Sequence, residues 1–478
     1  MNAPRAVAPE PSLAERLAVS ARHPGDAAPA EVRAWLAGTA ARARMRVDRV
    51  PLEEVDGWSR DPVTGDLGHR SGRFFTITGL RVRDPDGPVP EWTQPIIDQP
   101  EVGVLGILVK EFDGVLHFLM QAKVEPGNHG GPQLSPTVQA THSNYTRVHQ
   151  GSAVPYLDHF TDASRPRLVD VRQSEQGTRF LRKRNRNMVV EAAGDVEVLD
   201  GFRWLTLGQV HRLLEMDDVV NMDARTVLGC LPFTDGPAPH GGAAGRTAFG
   251  AALLRSCDPE AGALHPMPDL LSWITEARTA SGMRAEPVPL AEADGWEAAG
   301  GAIAHRTGRF FSVIGVHVTA GAREVGRWGQ PLVAPAGTGV IAFLAAPIDG
   351  VLHVLVRAAA EPGFVDVAEL GPTVQCTPEN HAHLPAAARP PFLDEVLAAD
   401  PDRIRFGALL SEEGGRFHHA RNRYLVVETR AGREPPGFRW AAVHQLGALV
   451  RHSHYLNVEA RTLLACLHSL TSAPGGAR

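Results

Sequence analysis

The sequence predicts an α+β fold made of two copies of one unit. Two observations predict it. The same short motifs return at a fixed spacing of 236 residues, and β-rich segments alternate with helical ones in the same order in both halves. GRFF at 72–75 returns at 308–311, and DGVLH at 113–117 returns at 349–353. Because many motifs share one spacing, we infer an internal duplication. A chain of 478 residues is also much longer than one hydrophobic core requires.

The predicted organisation has five parts. Residues 1–23 are an N-terminal extension, residues 24–234 the first repeat and residues 263–469 the second repeat. Residues 235–262 contain PAPHGGAAGRTAFGAA, whose Gly, Ala and Pro content is typical of a linker, and residues 470–478 form a tail.

Each repeat is predicted to begin and end with a helix. Apolar residues recur at helical spacing in AEVRAWLAGTAARARM of the first repeat and DLLSWITEARTAS of the second. β-rich runs separated by turn signals follow, such as FFTITGLRV, VGVLGILVKEF, VLHFLMQAKV and MVVEA. The closing helices are predicted at LGQVHRLLEMD and VHQLGALVRHS.

Composition and motif content exclude several functional classes. The net charge of -6 gives no global positive field for nucleic acid. No apolar run is long enough to span a membrane, and the N-terminus lacks the apolar stretch of a signal peptide, so we expect a cytoplasmic location. The four cysteines have no CxxC spacing and are expected to be reduced thiols. Dinucleotide, P-loop and HExxH-type motifs are also missing, so neither a cofactor nor a metal is predicted.

One dense polar segment, QLSPTVQATHSNYT at 133–146, is a candidate ligand site. Its hydroxyls, amides and phenol suit the hydroxyls and carbonyls of a ligand better than they suit a core. The alternative is a loop whose polar side chains cap turns and helices. The residues predicted to bind are Thr141, His142, Ser143, Asn144 and Tyr145.

A basic segment, QSEQGTRFLRKRNRNMVVE, is a candidate diphosphate cradle. Guanidinium groups match phosphate oxygens, and a strand would direct alternate members of the run to one face. A solvated edge strand is the alternative. The basic residues are Arg179, Arg182, Lys183, Arg184 and Arg186, and the second repeat keeps Arg416, Arg421 and Arg423.

Two tryptophans, Trp58 and Trp296, occupy equivalent DGW motifs between polar segments. An aromatic plate of this kind can stack on a nucleobase or a sugar ring, and core packing is the alternative use.

The longer motifs carry a resemblance to a known family. EPGN, QLSPTVQAT, SNYTR, QSEQG, KRNRNMVVE and VNMDARTVLGCLP, with ELGPTVQC, SEEGGRF and NVEAR in the second repeat, resemble the NDP-hexose 2,3-dehydratases of deoxysugar biosynthesis over nearly the whole chain. The chain departs from the family pattern in the four residues after EPGN, from His129 to Pro132, and at His142.

The resemblance implies both a reaction and an architecture. The reaction removes the C-2 hydroxyl of a nucleotide-linked 4-keto-6-deoxyglucose, usually the dTDP sugar. It yields a 3,4-diketo-2,6-dideoxy product that a partner 3-ketoreductase captures. The architecture is two tandem Nudix-like repeats in a homodimer. The REx2EE metal-binding signature of Nudix enzymes is absent from the sequence, which agrees with a non-hydrolytic use of that fold.

This chemistry requires a base at C-3, a donor at the C-4 oxygen and an acid near C-2. The catalytic candidates are Tyr145, Lys123, Glu175, His381 and Glu412, with His142, Glu125, Arg357, Glu361 and Glu413 also considered. Further candidates for substrate binding are Trp58, Ser174, Arg184, Trp296, Arg357, Thr373, Val374, Gln375, Asn380, His381, Ser411, Glu412, Glu413, Gly414 and Arg416.

The two repeats differ at positions that would decide catalysis. Lys123 corresponds to Ala359, and Gln121 corresponds to Arg357. Two nucleotide-sugar pockets per chain are therefore expected, of which only one is catalytic, and the sequence leaves open which one. The competing functions are a Nudix-like nucleotide-sugar hydrolase and a non-catalytic nucleotide-sugar-binding or scaffold protein.

Overall fold

The computed structural model describes residues 11–85, 87–141, 154–233, 247–321, 326–385 and 388–472. The α-helices are α1 Leu13–Arg22, α2 Pro29–Ala43, α3 Leu157–Thr161, α4 Leu207–Leu214, α5 Met222–Leu228, α6 Ala248–Ser256, α7 Met267–Ala280, α8 Leu393–Leu397, α9 Val443–Leu449 and α10 Val458–Ser472. The strands of the first half are β1 Arg46–Val50, β2 Trp58–Arg60, β3 Leu67–His69, β4 Thr76–Arg83, β5 Glu91–Asp98, β6 Gly103–Phe112, β7 Val115–Lys123, β8 Gln133–Ser135, β9 Val138–Ala140, β10 Arg167–Ser174, β11 Arg184–Glu191 and β12 Phe202–Thr206. Those of the second half are β13 Arg284–Val288, β14 Trp296–Ala299, β15 Ala302–His305, β16 Phe311–Thr319, β17 Arg327–Pro335, β18 Gly339–Ile348, β19 Val351–Ala360, β20 Ala368–Gly371, β21 Val374–Cys376, β22 Ile404–Ser411, β23 Arg421–Glu428 and β24 Phe438–Ala442.

Each repeat contributes a large mixed sheet of seven strands. In the first repeat the order is β10-β11-β6-β7-β12, with β9 paired to β6 and β8 paired to β7. The second repeat has the order β22-β23-β18-β19-β20, with β21 paired to β18 and β24 paired to β19. Within each sheet one central pair is parallel, β6 with β11 and β18 with β23, and its neighbours are antiparallel. Helices and several sheets together confirm a mixed α and β architecture.

The two smaller, antiparallel sheets exchange a strand between the repeats. β1 pairs with β16, so that Arg46–Val50 lies against 315–319 of the second repeat. In return β13 pairs with β4, so that Arg284–Val288 lies against 79–83 of the first repeat. Each repeat therefore completes the small sheet of the other.

The main hydrophobic core belongs to both repeats at once. Helices α4 and α5 of the first repeat pack with α9 and α10 of the second, and one continuous cluster includes Leu213, Val227, Leu446 and Leu463. Cys230 and Cys466 are also buried in it, where they pack as small hydrophobic residues. Because burial of apolar surface is the main stabilising contribution to folding, the repeats stabilise each other.

The four predicted helices are present as α2, α4, α7 and α9, but α4 and α9 do not close their repeats, because α5 and α10 follow them. Two further helices, α1 and α6, lie outside the predicted repeats. In α1, the hydroxyl of Ser20 donates to Leu116 O and accepts from Leu207 N. In α6, Ser256 makes the same pair of bonds with Leu352 O and Val443 N. The predicted boundaries stay a prediction, and these equivalent contacts favour an earlier start for each repeat.

The segment 235–262, predicted to be a linker, is helical in part. Thr247 caps α6, because its side chain accepts a hydrogen bond from Gly250 N. Phe249 and Leu253 then reach the core at helical spacing. The Gly- and Ala-rich composition favoured a linker, so the helical spacing of these apolar residues was overlooked. Among the described residues, no helix combines the length and the apolar character needed to cross a membrane.

Candidate active site

Two buried polar clusters lie where a loop of one repeat enters the other. The loop after β10 carries Ser174-Glu175-Gln176-Gly177, and the equivalent loop after β22 carries Ser411-Glu412-Glu413-Gly414. The first site consists of Lys123, Glu125, Gln139, Asn221 and Asp223 of the first repeat with Glu413 and Arg416 of the second. The second site consists of Arg357, Glu361, Gln375, Asn457 and Glu459 of the second repeat with Gln176 and Arg179 of the first.

In the first site, the two repeats meet through their backbones. Gly127 N donates to Gly414 O over 2.7 Å. A Cβ atom on Gly414 would lie only 3.0 Å from the Cβ of Glu125, so only glycine allows this approach. Glu413 is thereby placed beside Glu125, although 288 positions separate the two residues along the chain.

Hydrogen bonds and one ion pair fix the side chains of the first site. The ammonium of Lys123 lies 3.2 Å from Glu125 Oε1, which also accepts from Gln139 Nε2 over 3.0 Å. Gln139 is held in turn by Asn221 Nδ2, 3.3 Å from its Oε1. The ammonium of Lys123, the carboxylate of Glu125 and the amides of Gln139 and Asn221 thus form one connected cluster.

The carboxyl groups of the first site have raised pKa values. Burial, followed by the neighbouring Glu125 carboxylate, raises the pKa of Glu413 to about 7, against the opposing charges of Arg416 and Lys123. Burial and the carboxylates of Glu413 and Glu175 raise the pKa of Asp223 well above its usual range. The site therefore holds one carboxyl that ionises near neutral pH and a second whose ionisation burial opposes.

The second site repeats this frame with different chemistry. Glu361 Oε1 accepts from Gln375 Nε2 over 2.8 Å, and Asn457 Nδ2 donates to Gln375 Oε1 over 2.8 Å. Glu361 Oε2 accepts from Thr178 N of the other repeat over 3.1 Å. Burial raises the pKa of Glu361 to about 7. Among the described residues, Arg357 Nε has no hydrogen-bond partner, so it offers a buried donor.

Substitutions and one set of hydrogen bonds separate the sites. Ala359 stands where the first site has Lys123, Gln176 stands where it has Glu413, and Arg357 of the second site stands at the position of Gln121.

The carboxylate after the loop serine also differs. Glu412 accepts from Gln176 Nε2, Asn422 Nδ2 and Tyr424 OH at 2.9, 2.6 and 2.9 Å. Its counterpart Glu175 accepts from Asn185 Nδ2 at 2.5 Å, and its buried Oε2 has no partner in the part of the chain that the structure describes. Burial raises the pKa of Glu175, with the charge of Arg461 opposing.

The arginines of the two loops stack on aromatic rings of the opposite repeat. The guanidinium of Arg416 lies 4.3 Å from the ring centre of Phe75, and Arg416 Nε donates to Gln99 Oε1 over 3.2 Å. Arg179 lies 4.4 Å from the ring centre of Phe311 in the same way. Arg416 was expected to bind substrate within its own, second repeat. Its contacts instead place it in the first site.

Some predicted binding residues are in the core. Thr373 Oγ1 accepts from Leu344 N over 3.0 Å and donates to Leu355 O, so both of its hydrogen-bonding roles are occupied. Val374 is 1% exposed and packs in a hydrophobic cluster. This placement corrects the expectation of substrate contact for both residues.

The two tryptophans pack against protein. Trp58 is 8% exposed, its ring lies 4.8 Å from Phe75, and its Nε1 donates to Gly329 O over 3.0 Å. Trp296 is half-buried and its Nε1 donates to Thr93 O over 3.0 Å. These contacts favour the packing alternative over stacking on a ligand.

The loop serines join the repeats. Ser174 Oγ donates to Glu369 Oε2 over 2.6 Å, and Ser411 Oγ donates to Gln133 Oε1 over 2.8 Å. Both bonds are buried, so these hydroxyls fix the interface between the repeats.

The basic run after Ser174 does not form a single cradle. Arg186 pairs with Asp170 through two bonds of 2.6 and 2.7 Å, and the ammonium of Lys183 donates to Glu101 O. Arg184 is half-buried in β11, with Nε unpartnered among the described residues. Arg186 and Lys183 therefore already have partners within the protein, which argues against the prediction that the run binds a diphosphate as one cradle.

The remaining candidates follow β9 or β21, the two strands that begin within the repeated TVQ motif. Asn380 Oδ1 accepts from Phe310 N over 3.1 Å, and burial lowers the pKa of the adjacent His381. Thr141 is the last described residue before the gap. His142, Ser143, Asn144 and Tyr145 lie outside the described residues.

Sequence reasoning did not select several residues of the two sites. Asn221, Asp223, Asn457 and Glu459 lie in the repeated NMDAR and NVEAR motifs, which indicated duplication only. Gln176 lies in the loop of the opposite repeat, and its neighbour Arg179 was considered only for a diphosphate cradle. Asp223 and Glu459 did have one signal in the sequence, because each motif repeats a carboxyl residue two positions before an arginine that is buried in the structure.

Comparison with known proteins identifies the family. The model of the NDP-hexose 2,3-dehydratase family matches residues 29–231 and 267–467. The chain belongs to that family. This dehydratase family member is 50% identical over 453 residues to "dTDP-4-dehydro-6-deoxy-alpha-D-glucopyranose 2,3-dehydratase" of Amycolatopsis orientalis, covering 93% of this chain and 91% of the relative. It is 50% identical over 444 residues to the protein of the same name from Saccharopolyspora spinosa, covering 92% and 91%. For the one from Streptomyces violaceoruber the identity is 49% over 449 residues, covering 91% and 96%.

Proposed function

We propose that this dehydratase removes the C-2 hydroxyl of dTDP-4-keto-6-deoxyglucose and releases dTDP-3,4-diketo-2,6-dideoxyglucose. The names of three relatives at about 50% identity over nearly the whole chain support this substrate. The proposal also includes a partner 3-ketoreductase that consumes the unstable product, a homodimer and a cytoplasmic location.

We assign the reaction to the first site. The observation that supports this choice is that Lys123 and Glu413 both belong to this site, whereas the second site has Ala359 and Gln176 in their places. The base is Glu413, because its pKa of about 7 lets it ionise at neutral pH and still accept a proton. It takes the C-3 proton, and the electron pair forms an enolate with the C-4 oxygen. The ammonium of Lys123 donates to that oxygen and stabilises its charge.

Elimination follows from the enolate. Its electrons move to form the C-2 to C-3 double bond, the bond from C-2 to its hydroxyl breaks, and water leaves with a proton from Asp223. Asp223 suits this role because burial and the neighbouring carboxylates raise its pKa, which favours the protonated form that an acid needs. The enol at C-3 then tautomerises to the ketone. Tyr145, outside the described residues, is the alternative donor to the C-4 oxygen.

The second site is proposed to bind a nucleotide sugar without converting it. Ala359 and Gln176 replace the cation and the base, and Glu412 accepts three hydrogen bonds that stabilise its carboxylate. Non-catalytic binding of a nucleotide sugar, one of the competing functions of the whole chain, is therefore proposed for the second site only. Hydrolysis of the diphosphate has no support from the family, since its members are described as dehydratases.

Each repeat is proposed to have a Nudix-like fold. The large mixed sheet with its central parallel pair, and the helices packed against it, support that assignment. The REx2EE carboxylates that bind metal in Nudix enzymes are absent from both repeats.

The test is to incubate the protein with dTDP-4-keto-6-deoxyglucose, a 3-ketoreductase and NADPH, and to analyse the products by mass spectrometry. A 2,6-dideoxy nucleotide sugar is the expected product. Unchanged substrate in a sample that binds it would contradict the proposal, and dTMP would indicate hydrolysis instead.

A further inference from the structure

Arg225 and Arg461 are the two largest side chains that are fully buried, at 0% and 1% exposure. They occupy equivalent positions in α5 and α10. Among the described residues, neither guanidinium has a carboxylate within ion-pair distance. A buried charge without a counter-ion is costly, so other interactions of these two side chains must compensate for it.

Each guanidinium bridges two backbone carbonyls from different repeats. Arg225 Nη1 donates to Val220 O over 2.6 Å, and its Nη2 donates to Ser411 O over 2.7 Å. Arg461 Nη1 donates to Leu456 O over 2.6 Å, and its Nη2 donates to Ser174 O over 2.6 Å. One end of each bridge is fixed just before the arginine's own helix, and the other end reaches across the interface.

The distant carbonyl is at the base of a site loop in both cases. Ser411 is the last residue of β22, and Glu413 follows two residues later in the first site. Ser174 is the last residue of β10, and Gln176 follows two residues later in the second site. Each arginine thus holds the loop that the other repeat inserts into the arginine's own half of the molecule.

We propose that Arg225 is a positioning residue for the base Glu413, and that Arg461 performs the same task for Gln176 in the second site. The expected effect on kcat rests on the proposed function of the first site. The expected effect on the order of the loop does not. The planar fork of arginine can satisfy two carbonyls in fixed directions, whereas the single ammonium of lysine cannot.

The structural test is hydrogen exchange measured by mass spectrometry on Arg225→Lys, Arg461→Lys and the unaltered protein. In Arg225→Lys, amides of 411–420 should exchange about tenfold faster, while those of 174–183 keep their protection. Arg461→Lys should show the reverse pattern. Should Arg225→Lys fail to fold, Arg225→Met removes the same bonds without leaving a charge buried. Unchanged exchange in 411–420, or equal loosening of both loops, would overturn the proposal.

The kinetic test uses the same matched pair in the coupled dehydration assay. Arg225→Lys should lower kcat by roughly 10- to 100-fold with KM nearly unchanged, because a displaced base affects the chemical step more than binding. Its pH profile should also move, since Glu413 loses its environment. Arg461→Lys should lower kcat less than Arg225→Lys and leave the pH profile in place, at a similar loss of thermal stability. Equal losses of kcat in both variants would show a structural role only. An unaltered protein that forms no product would reject the proposed function, and the exchange pattern would still decide the positioning role.

Discussion

The first and second sites have the same frame of hydrogen bonds but different ionisable groups. In both, an amide pair holds one glutamate, Glu125 or Glu361, and a glycine-bearing loop arrives from the opposite repeat. Only the first site has a lysine, Lys123, and a glutamate from the opposite repeat, Glu413, where the second site has Ala359 and Gln176. The difference indicates that duplication preserved the scaffold while a few residues at its centre changed, and the predictions below test whether these changes separate a catalytic site from a binding site.

The largest effect is expected from separating the repeats. Because each site takes residues from both halves and the core is shared, residues 11–233 or 247–472 expressed alone should be unfolded and inactive. Co-expression of the two pieces should restore both circular dichroism and product formation. A single half that folds and binds the sugar would contradict the composite sites.

Glu413→Gln should make the first site resemble the second. Loss of the base should lower kcat by about 10²- to 10⁴-fold, with a much smaller change in KM. The matched control is Glu361→Gln, which removes a carboxyl of similar pKa from the second site. Steady-state kinetics on both variants would test the comparison, and a control that loses as much kcat would refute the assignment of the catalytic site.

The pH dependence of kcat should distinguish the sites further. Burial sets the pKa of Glu413 at about 7, and a base must be ionised to act, so kcat should rise as pH increases through 7. Glu361→Gln should keep that rise. A profile that stays flat between about pH 6 and 8 in the unaltered protein would exclude Glu413 as the base.

The smallest effect concerns stability. A carboxyl whose folded pKa is raised contributes stability at acidic pH, and this contribution is lost as pH rises through the folded value. Relative to Glu413→Gln, the unaltered protein should therefore lose on the order of 1–3 kcal/mol of unfolding free energy between about pH 4 and pH 8. Urea titrations at both ends of this range measure it, and a constant difference would show that Glu413 keeps an ordinary pKa.

Much of the fold followed from sequence patterns, but the pairing of elements did not. Helical periodicity predicted α2 and α7, and motif spacing predicted the duplication. The segments MRVDRVP and MRAEPVP have the same β pattern, so nothing local selects a partner strand in one repeat over the other. The exchange of β1 and β13 is decided by tertiary packing.

The composition of the sites was harder to predict for the same reason. Glu413 was considered beside Glu361 because they share a repeat, whereas the loop crosses to Glu125. Asp223 lies in the NMDAR motif, whose repetition was interpreted as duplication and not as a site, and Glu413, whose charge acts on it, is 190 positions away along the chain. Trp58 looked available because polar residues flank it in sequence, yet its ring is covered by Phe75 and other residues distant along the chain.

The exchanged strand β1 also has a consequence for synthesis on the ribosome. Its partner β16 leaves the ribosome about 260 residues later, which at typical elongation rates is a delay of roughly 15–50 s. During that time β1 has an unpaired edge, and it carries two arginines and an aspartate that discourage pairing with other chains. The nascent chain can therefore complete neither small sheet until the second repeat emerges, so the order of translation requires the two repeats to mature together.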